Sequence, residues 1–130
     1  MILDSSAIVA VLRAEPEAPD FAKAIQVAQS RRISAVSYVE AAVAIDKSKK
    51  AVASRRFDEF FRASGIAVEA VTPRQAEIAR YAYRDFGKGR HKAGLNFGDC
   101  FAYALAKEMD EPLLFKGNDF RHTDVEVAKI

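Results

Sequence analysis

One aspartate limits how this chain can fold. Asp99 is the only charge in the fourteen residues from Ala93 to Ala106, and the residues after it (Phe101, Ala102, Tyr103, Leu105, Ala106) read as a largely buried helix. Gly98-Asp99 opens that helix, so the carboxylate stands near a helix N-terminus beside the core. Pro112-Leu113-Leu114-Phe115 follows as a short strand of buried type, and Asp119 comes just past its end. A helix and a strand that each deliver an acid from an apolar background point to one pocket.

The same oddity occurs twice more. Asp4 is the only charge from Met1 to Leu12, where a hydrophobic opening strand gives way to a helix. Glu40 is the only charge from Ile33 to Ile45, inside a helix with apolar or small residues all round it. Burying an unpaired carboxylate costs several kcal/mol or forces it to take up a proton. Singly, each acid has a structural explanation. Asp4 or Asp99 can cap the following helix, Ser37-Tyr38-Val39-Glu40 fits the S-x-x-E capping box, and Asp119 can sit in a turn. Jointly these explanations weaken, because capping acids normally face water in polar first turns.

The rest of the chain alternates strand and helix signals. After the strand of Met1 to Asp4 come a short helix over Ala7 to Arg13 and a second marked by Phe21, Ala24, Ile25 and Ala28. Arg32 to Ala35 is a strand, followed by the Glu40 helix and an amphipathic helix carrying Ala53, Phe57, Phe60 and Phe61, stopped by Gly65. Ile66 to Val71 is a third strand. Thr72-Pro73 opens a helix with Ile78, Tyr81, Ala82 and Phe86 on its apolar face. Gly87 to Asn96 reads as a basic loop, and a last strand is expected over Val125 to Ala128. This alternation predicts an α/β sandwich with a mostly parallel sheet, whose ligands bind beyond the carboxyl ends of the strands. Asp4 and Asp119 both lie just past such ends.

A length of 130 residues with no linker or repeat fits one domain over 1–130. The single cysteine, Cys100, excludes an internal disulfide, and no secretory leader or membrane-length apolar run is visible, so a cytoplasmic protein is expected. A formal charge of +2 says little about partners, but Lys88, Arg90, His91 and Lys92 form a basic cluster within a glycine-rich loop. Such a loop suits either a solvated face or an RNA-backbone clamp. His91 and His122 lack the spacing of a zinc site. Several carboxylates without a catalytic histidine or thiol suit a hard cation, Mg²⁺ or Mn²⁺, and hence phosphodiester hydrolysis. Ser6 and Asn96 stand close enough in sequence to Asp4 and Asp99 to position waters or phosphate oxygens. A receiver-type signalling domain fits less well, because Thr72-Pro73 stands where its phosphoacceptor belongs.

Met1-Ile2-Leu3-Asp4-Ser5-Ser6-Ala7, Ser37-Tyr38-Val39-Glu40, Asn96-Phe97-Gly98-Asp99-Cys100 and Asn118-Asp119-Phe120 together resemble the PIN-domain ribonucleases, in particular the VapC toxins of toxin–antitoxin pairs. The resemblance spans the whole chain. It implies a three-layer α/β/α sandwich with about five strands and a Mg²⁺-dependent endoribonuclease held in check by a VapB-type antitoxin. It also implies a homodimer. Asp4, Glu40 and Asp99 match the principal acids of the family, Asp4 and Asp99 being the usual metal ligands, and Asp119 matches a fourth. Many relatives carry Thr-x-Asp-x-Asp-Phe at that point, where this chain has Phe115-Lys116-Gly117-Asn118-Asp119-Phe120. The missing acid leaves Asp119, with Asp124 as a possible helper. A non-catalytic PIN-like binding module is the alternative.

Overall fold

Strand β1 (Ile2–Leu3) has only two residues, both wholly buried, and they face opposite ways. Ile2 joins an apolar cluster with Leu95, Leu105 and Leu113, whereas Leu3 joins Ile8, Ile33, Phe57 and Leu114 in a second one. A sheet whose alternate residues feed two cores is covered on both faces, which gives three layers. The computed structural model describes residues 1–130.

On one face lie α1 (Ser5–Leu12), α2 (Ala18–Val27), α3 (Ala35–Asp46) and α4 (Ala51–Ser64). On the other lie α5 (Pro73–Phe86) and α6 (Phe97–Met109). Their ends follow the local chemistry. Thr72 accepts from the Gln75 backbone N–H (3.1 Å) ahead of Pro73 at the start of α5, and Gly65 ends α4 in the left-handed region at φ 68°. The start of α3 differs from expectation. Ser34 caps it by accepting from Val36 N–H (3.3 Å), while Ser37 lies buried within the first turn, so the S-x-x-E match at residues 37–40 is not a capping box.

With β2 (Arg32–Ser34), β3 (Ala67–Glu69) and β4 (Leu113–Leu114), the sheet runs in the order β3-β2-β1-β4, parallel throughout. It has four strands, not about five. The expected strand over Val125 to Ala128 shrinks to one parallel bridge between Leu113 and Val127. Asp119–His122 winds instead into a 3₁₀ turn, and the Thr123 hydroxyl then donates to Phe120 O (2.7 Å) and accepts from Val125 N–H (3.3 Å). These local bonds delay the chain until a single residue is left in register.

The strand order places a topological switch between β1 and β4, since the chain leaves β1 towards β2 and returns only at the end to its other side. In open parallel sheets that crevice, beyond the carboxyl ends, is where ligands bind. Asp4 follows β1 there. The Ser6 hydroxyl spans the crevice, accepting from the Lys116 backbone N–H (3.0 Å) just after β4.

Candidate active site

Asp4 is the N-cap of α1 and is 3% exposed. Its Oδ2 accepts from Ser6 N–H (3.0 Å) and from the Ser6 hydroxyl (2.6 Å), but its buried Oδ1 has no partner. Burial raises its pKa above the ordinary carboxylate range; the Ser6 bonds oppose this and repulsion from Asp119 adds to it.

Asp99 occupies the first turn of α6 within a reciprocal cap. Its backbone N–H donates to Asn96 Oδ1 (2.9 Å), and its Oδ2 accepts from Asn96 N–H (3.0 Å). The N-cap is thus Asn96 and not Asp99, which sits at the third helical position and returns the cap's bond, and this does not use up its carboxylate. Burial, with repulsion from Asp4 and Asp119, lifts Asp99 to about 6 against the Asn96 bond. Glu40 reaches the same region from α3. Its pKa rises to about 7, chiefly through burial and then through repulsion from Asp4 and Asp99, with the Ser5 hydroxyl opposing; its buried Oε1 has no partner. No cation offsets the rise in any of the three.

The structure thus brings Asp4, Glu40, Asp99 and Asp119 into one electrostatic neighbourhood, with Asp119 exposed at the rim. Asp124 stands elsewhere. It accepts from the Tyr103 hydroxyl (2.6 Å) and Lys107 Nζ (3.0 Å), which hold its pKa low despite partial burial. Ser6 and Asn96 each touch one of the acids. The basic loop packs back on α5: His91 Nδ1 accepts from Ala93 N–H (3.0 Å) with its ring edge-on to Phe86, and Arg90 lies 5.9 Å from the Tyr83 ring centre. Lys88 and Lys92 are exposed. Cys100 is buried and its thiol is pushed up to about 11, which suits packing rather than nucleophilic attack.

Gly98 carries no charge or donor that would mark it in the sequence, yet it shapes the site. A Cβ at this position would lie 1.8 Å from a Glu40 carboxylate oxygen, so only glycine lets α6 approach the α3 acid this closely. Glu40 can swing away from a methyl group, which makes Gly98→Ala a test of placement rather than of folding. The expected result is a loss of at least about tenfold in RNA cleavage with little change in melting temperature. Unchanged cleavage would show that the Glu40 position is immaterial.

The acids share a field without closing a cage, since no three His, Cys, Asp or Glu side chains converge as a ready-made ligand set. A hard cation such as Mg²⁺ keeps several waters and takes one or two carboxylates, so the fit rests on which oxygens are left free. The unpartnered Asp4 Oδ1 and Glu40 Oε1 provide the oxygen chemistry such an ion needs.

The model of the PIN domain matches residues 1–126. The chain belongs to the PIN-domain family. Among curated PIN-domain relatives, it is 53% identical to ribonuclease VapC28 of Mycobacterium tuberculosis over 98% of this chain and 97% of that protein. It is 47% identical to ribonuclease VapC of Mycolicibacterium smegmatis, over 96% and 97%. Among solved structures, the fold is similar to that of M. tuberculosis VapC20, described as a sarcin-ricin loop cleaving toxin, with TM-score 0.77 at 13% identity over 95% of both chains. It is also similar to FitAcB from Neisseria gonorrhoeae, with TM-score 0.71 at 18% identity over 98% and 96%. A further fold match is a toxin–antitoxin complex from Klebsiella pneumoniae, TM-score 0.71 at 16% identity over 95% and 92%.

Proposed function

We propose that residues 1–130 act as one domain, a Mg²⁺-dependent endoribonuclease of VapC type working in the cytoplasm as the toxin of a toxin–antitoxin pair. The observation that carries this reading is a pile-up of carboxylates with no protein cation, including the unpartnered buried Asp4 Oδ1. Close relatives bear the name ribonuclease over nearly the full length, which supports the substrate class. A VapB-type antitoxin and a second copy of the chain are the proposed partners. No helix is long and apolar enough to cross a membrane.

Asp4 and Asp99 are the proposed metal ligands, with Glu40 and Asp119 completing the acidic set. A divalent cation held by Asp4 and Asp99 would lower the pKa of a water and neutralise charge developing on the phosphate. Mn²⁺ is expected to substitute for Mg²⁺. Ser6 fixes Asp4 by donating both hydrogen bonds to Oδ2, which reserves Oδ1. Asn96 likewise fixes the rotamer of Asp99. Glu40, near neutrality in pKa, is suited to hold and pass on a proton as the attacking water loses one.

The test is cleavage of single-stranded RNA in EDTA and after Mg²⁺ or Mn²⁺ is restored. Activity only with metal is expected, together with a higher melting temperature in millimolar Mg²⁺, because an ion bound by the folded state alone stabilises it by mass action. RNA cleavage undiminished in EDTA would overturn the reading, and no cleavage under any condition would favour a binding module.

Lys88, Arg90, His91 and Lys92 are proposed to contact RNA phosphates, with the glycines of the loop letting the main chain approach. Neutralising Lys88, Arg90 and Lys92 together should weaken binding and reduce the log–log salt slope by roughly 0.7 per lost contact. Turnover of saturating RNA should change far less, since burial and neighbouring acids, not the loop cations, set the charge state of the acids. An unaltered salt slope would remove the loop from the RNA path.

A further inference from the structure

Beside the acids, between α5 and α6, lies an apolar cavity of about 620 Å³ that the proposed chemistry does not use. Phe97, Phe101 and Tyr83 supply its aromatic surface, and Arg80 and Lys88 are the charged residues lining it. No carboxylate lines it, although Asp99 directly precedes the lining residue Cys100. Phe97 is 74% exposed and packs against Phe101 at a centroid separation of 5.0 Å, leaving much of its ring to solvent. Asn96 belongs to both places, as a lining residue of the cavity and as the cap that holds Asp99. Phe97 also borders the α3 groove that contains Glu40.

We infer that this cavity is a nucleobase subsite, in which one unpaired base of the RNA stacks on Phe97 and Tyr83 while Arg80 and Lys88 hold its flanking phosphates. The inference rests on the ribonuclease reading and adds where the substrate is gripped. Aromatic faces set among cations are how proteins hold single strands, because every base offers a π-face and every nucleotide an anion. Charge decides between occupants: two cations and no acid suit a polyanion, whereas an apolar protein segment gains nothing from them. Its place next to Asn96 means that a strand laid across the acids brings a neighbouring base to Phe97. A duplex, with its bases stacked inside, is excluded.

The experiment measures binding of a short mixed-sequence single-stranded RNA in EDTA, by fluorescence anisotropy, for wild type, Phe97→Ala and Phe97→Trp. A parallel series of the same RNA carries one abasic position at a time. Loss of base stacking predicts a Kd about tenfold weaker for Phe97→Ala, recovery in Phe97→Trp, and one abasic position that costs wild type about the same factor. That position should cost Phe97→Ala nothing further. A Kd unmoved by Phe97→Ala overturns the subsite, as does an abasic penalty that persists in the variant. If RNA binding is unmoved while affinity for the antitoxin falls, the cavity docks protein and the inference is wrong. Wild type that neither binds nor cleaves RNA overturns the ribonuclease reading itself; wild type that cleaves while Phe97→Ala behaves identically overturns only the subsite.

Discussion

Asp4→Asn is expected to lower turnover of saturating RNA by about 10³-fold while the metal-free protein melts no lower than wild type. The amide oxygen can still accept from Ser6 N–H and from the Ser6 hydroxyl, so the start of α1 stays capped. What disappears is the buried charge on which a hard cation depends. A cation worth several kcal/mol of transition-state stabilisation corresponds to a loss of this size. The melting temperature should no longer respond to Mg²⁺, and Asp99→Asn should behave alike. A purely capping role for Asp4 makes the opposite forecast, with activity and metal response both retained. Wild-type cleavage by Asp4→Asn at low Mg²⁺ would therefore end the metal assignment.

In the absence of metal, stability should fall steadily as pH rises from about 4 to 7. Asp99 and Glu40 have folded-state pKa values of about 6 and about 7, above their ordinary values of 3.8 and 4.5. Between those limits the folded state binds more protons than the unfolded chain, so the free energy of unfolding drops with rising pH. Their stabilisation is thus full below the unfolded values and gone above the folded ones. Allowing for mutual coupling and for solvent screening of two partly exposed groups, the pair amounts to on the order of 2 kcal/mol, or several degrees in melting temperature. Asp124 works in the other direction because its pKa is lowered, but its contribution is complete by about pH 5. Glu40→Gln should remove much of the slope, and millimolar Mg²⁺ should flatten it by binding the ionised form. A level melting profile in EDTA would mean that burial and the neighbouring acids do not raise these carboxylates as their placement requires.

The acids could be picked out in the sequence because charge is conspicuous in an apolar run. Asp4, Glu40 and Asp99 each interrupt a stretch that otherwise has no reason to be interrupted, and the fold does gather them. Helix ends marked by stereochemistry were equally plain: Thr72-Pro73 and Gly65 fall where capping rules place them. What failed needed three-dimensional information. Val125 to Ala128 has strand composition, but register with Leu113 is lost after a turn whose hydrogen bonds are local. Ser34 and Ser37 are alike as candidate caps, and only the end of β2 decides between them. Asp124 looked available until Tyr103, 21 residues earlier, proved to be its partner. Gly98 stood inside the Asn96-to-Cys100 motif, but the reason for it did not show, because its importance is a distance to Glu40 on another helix.

The position of β1 also bears on when the acids come together. The strand nearest the amino end lies inside the sheet, flanked by Arg32–Ser34 and by Leu113–Leu114. A chain emerging from the ribosome therefore exposes Asp4 first, but can enclose it only after β4 has appeared. At about 5–20 residues per second, more than a hundred residues separate those events by roughly ten seconds. During that interval the acids are on a growing chain with no crevice between them. A chain that stops before Leu113 is therefore expected to lack the assembled acidic crevice.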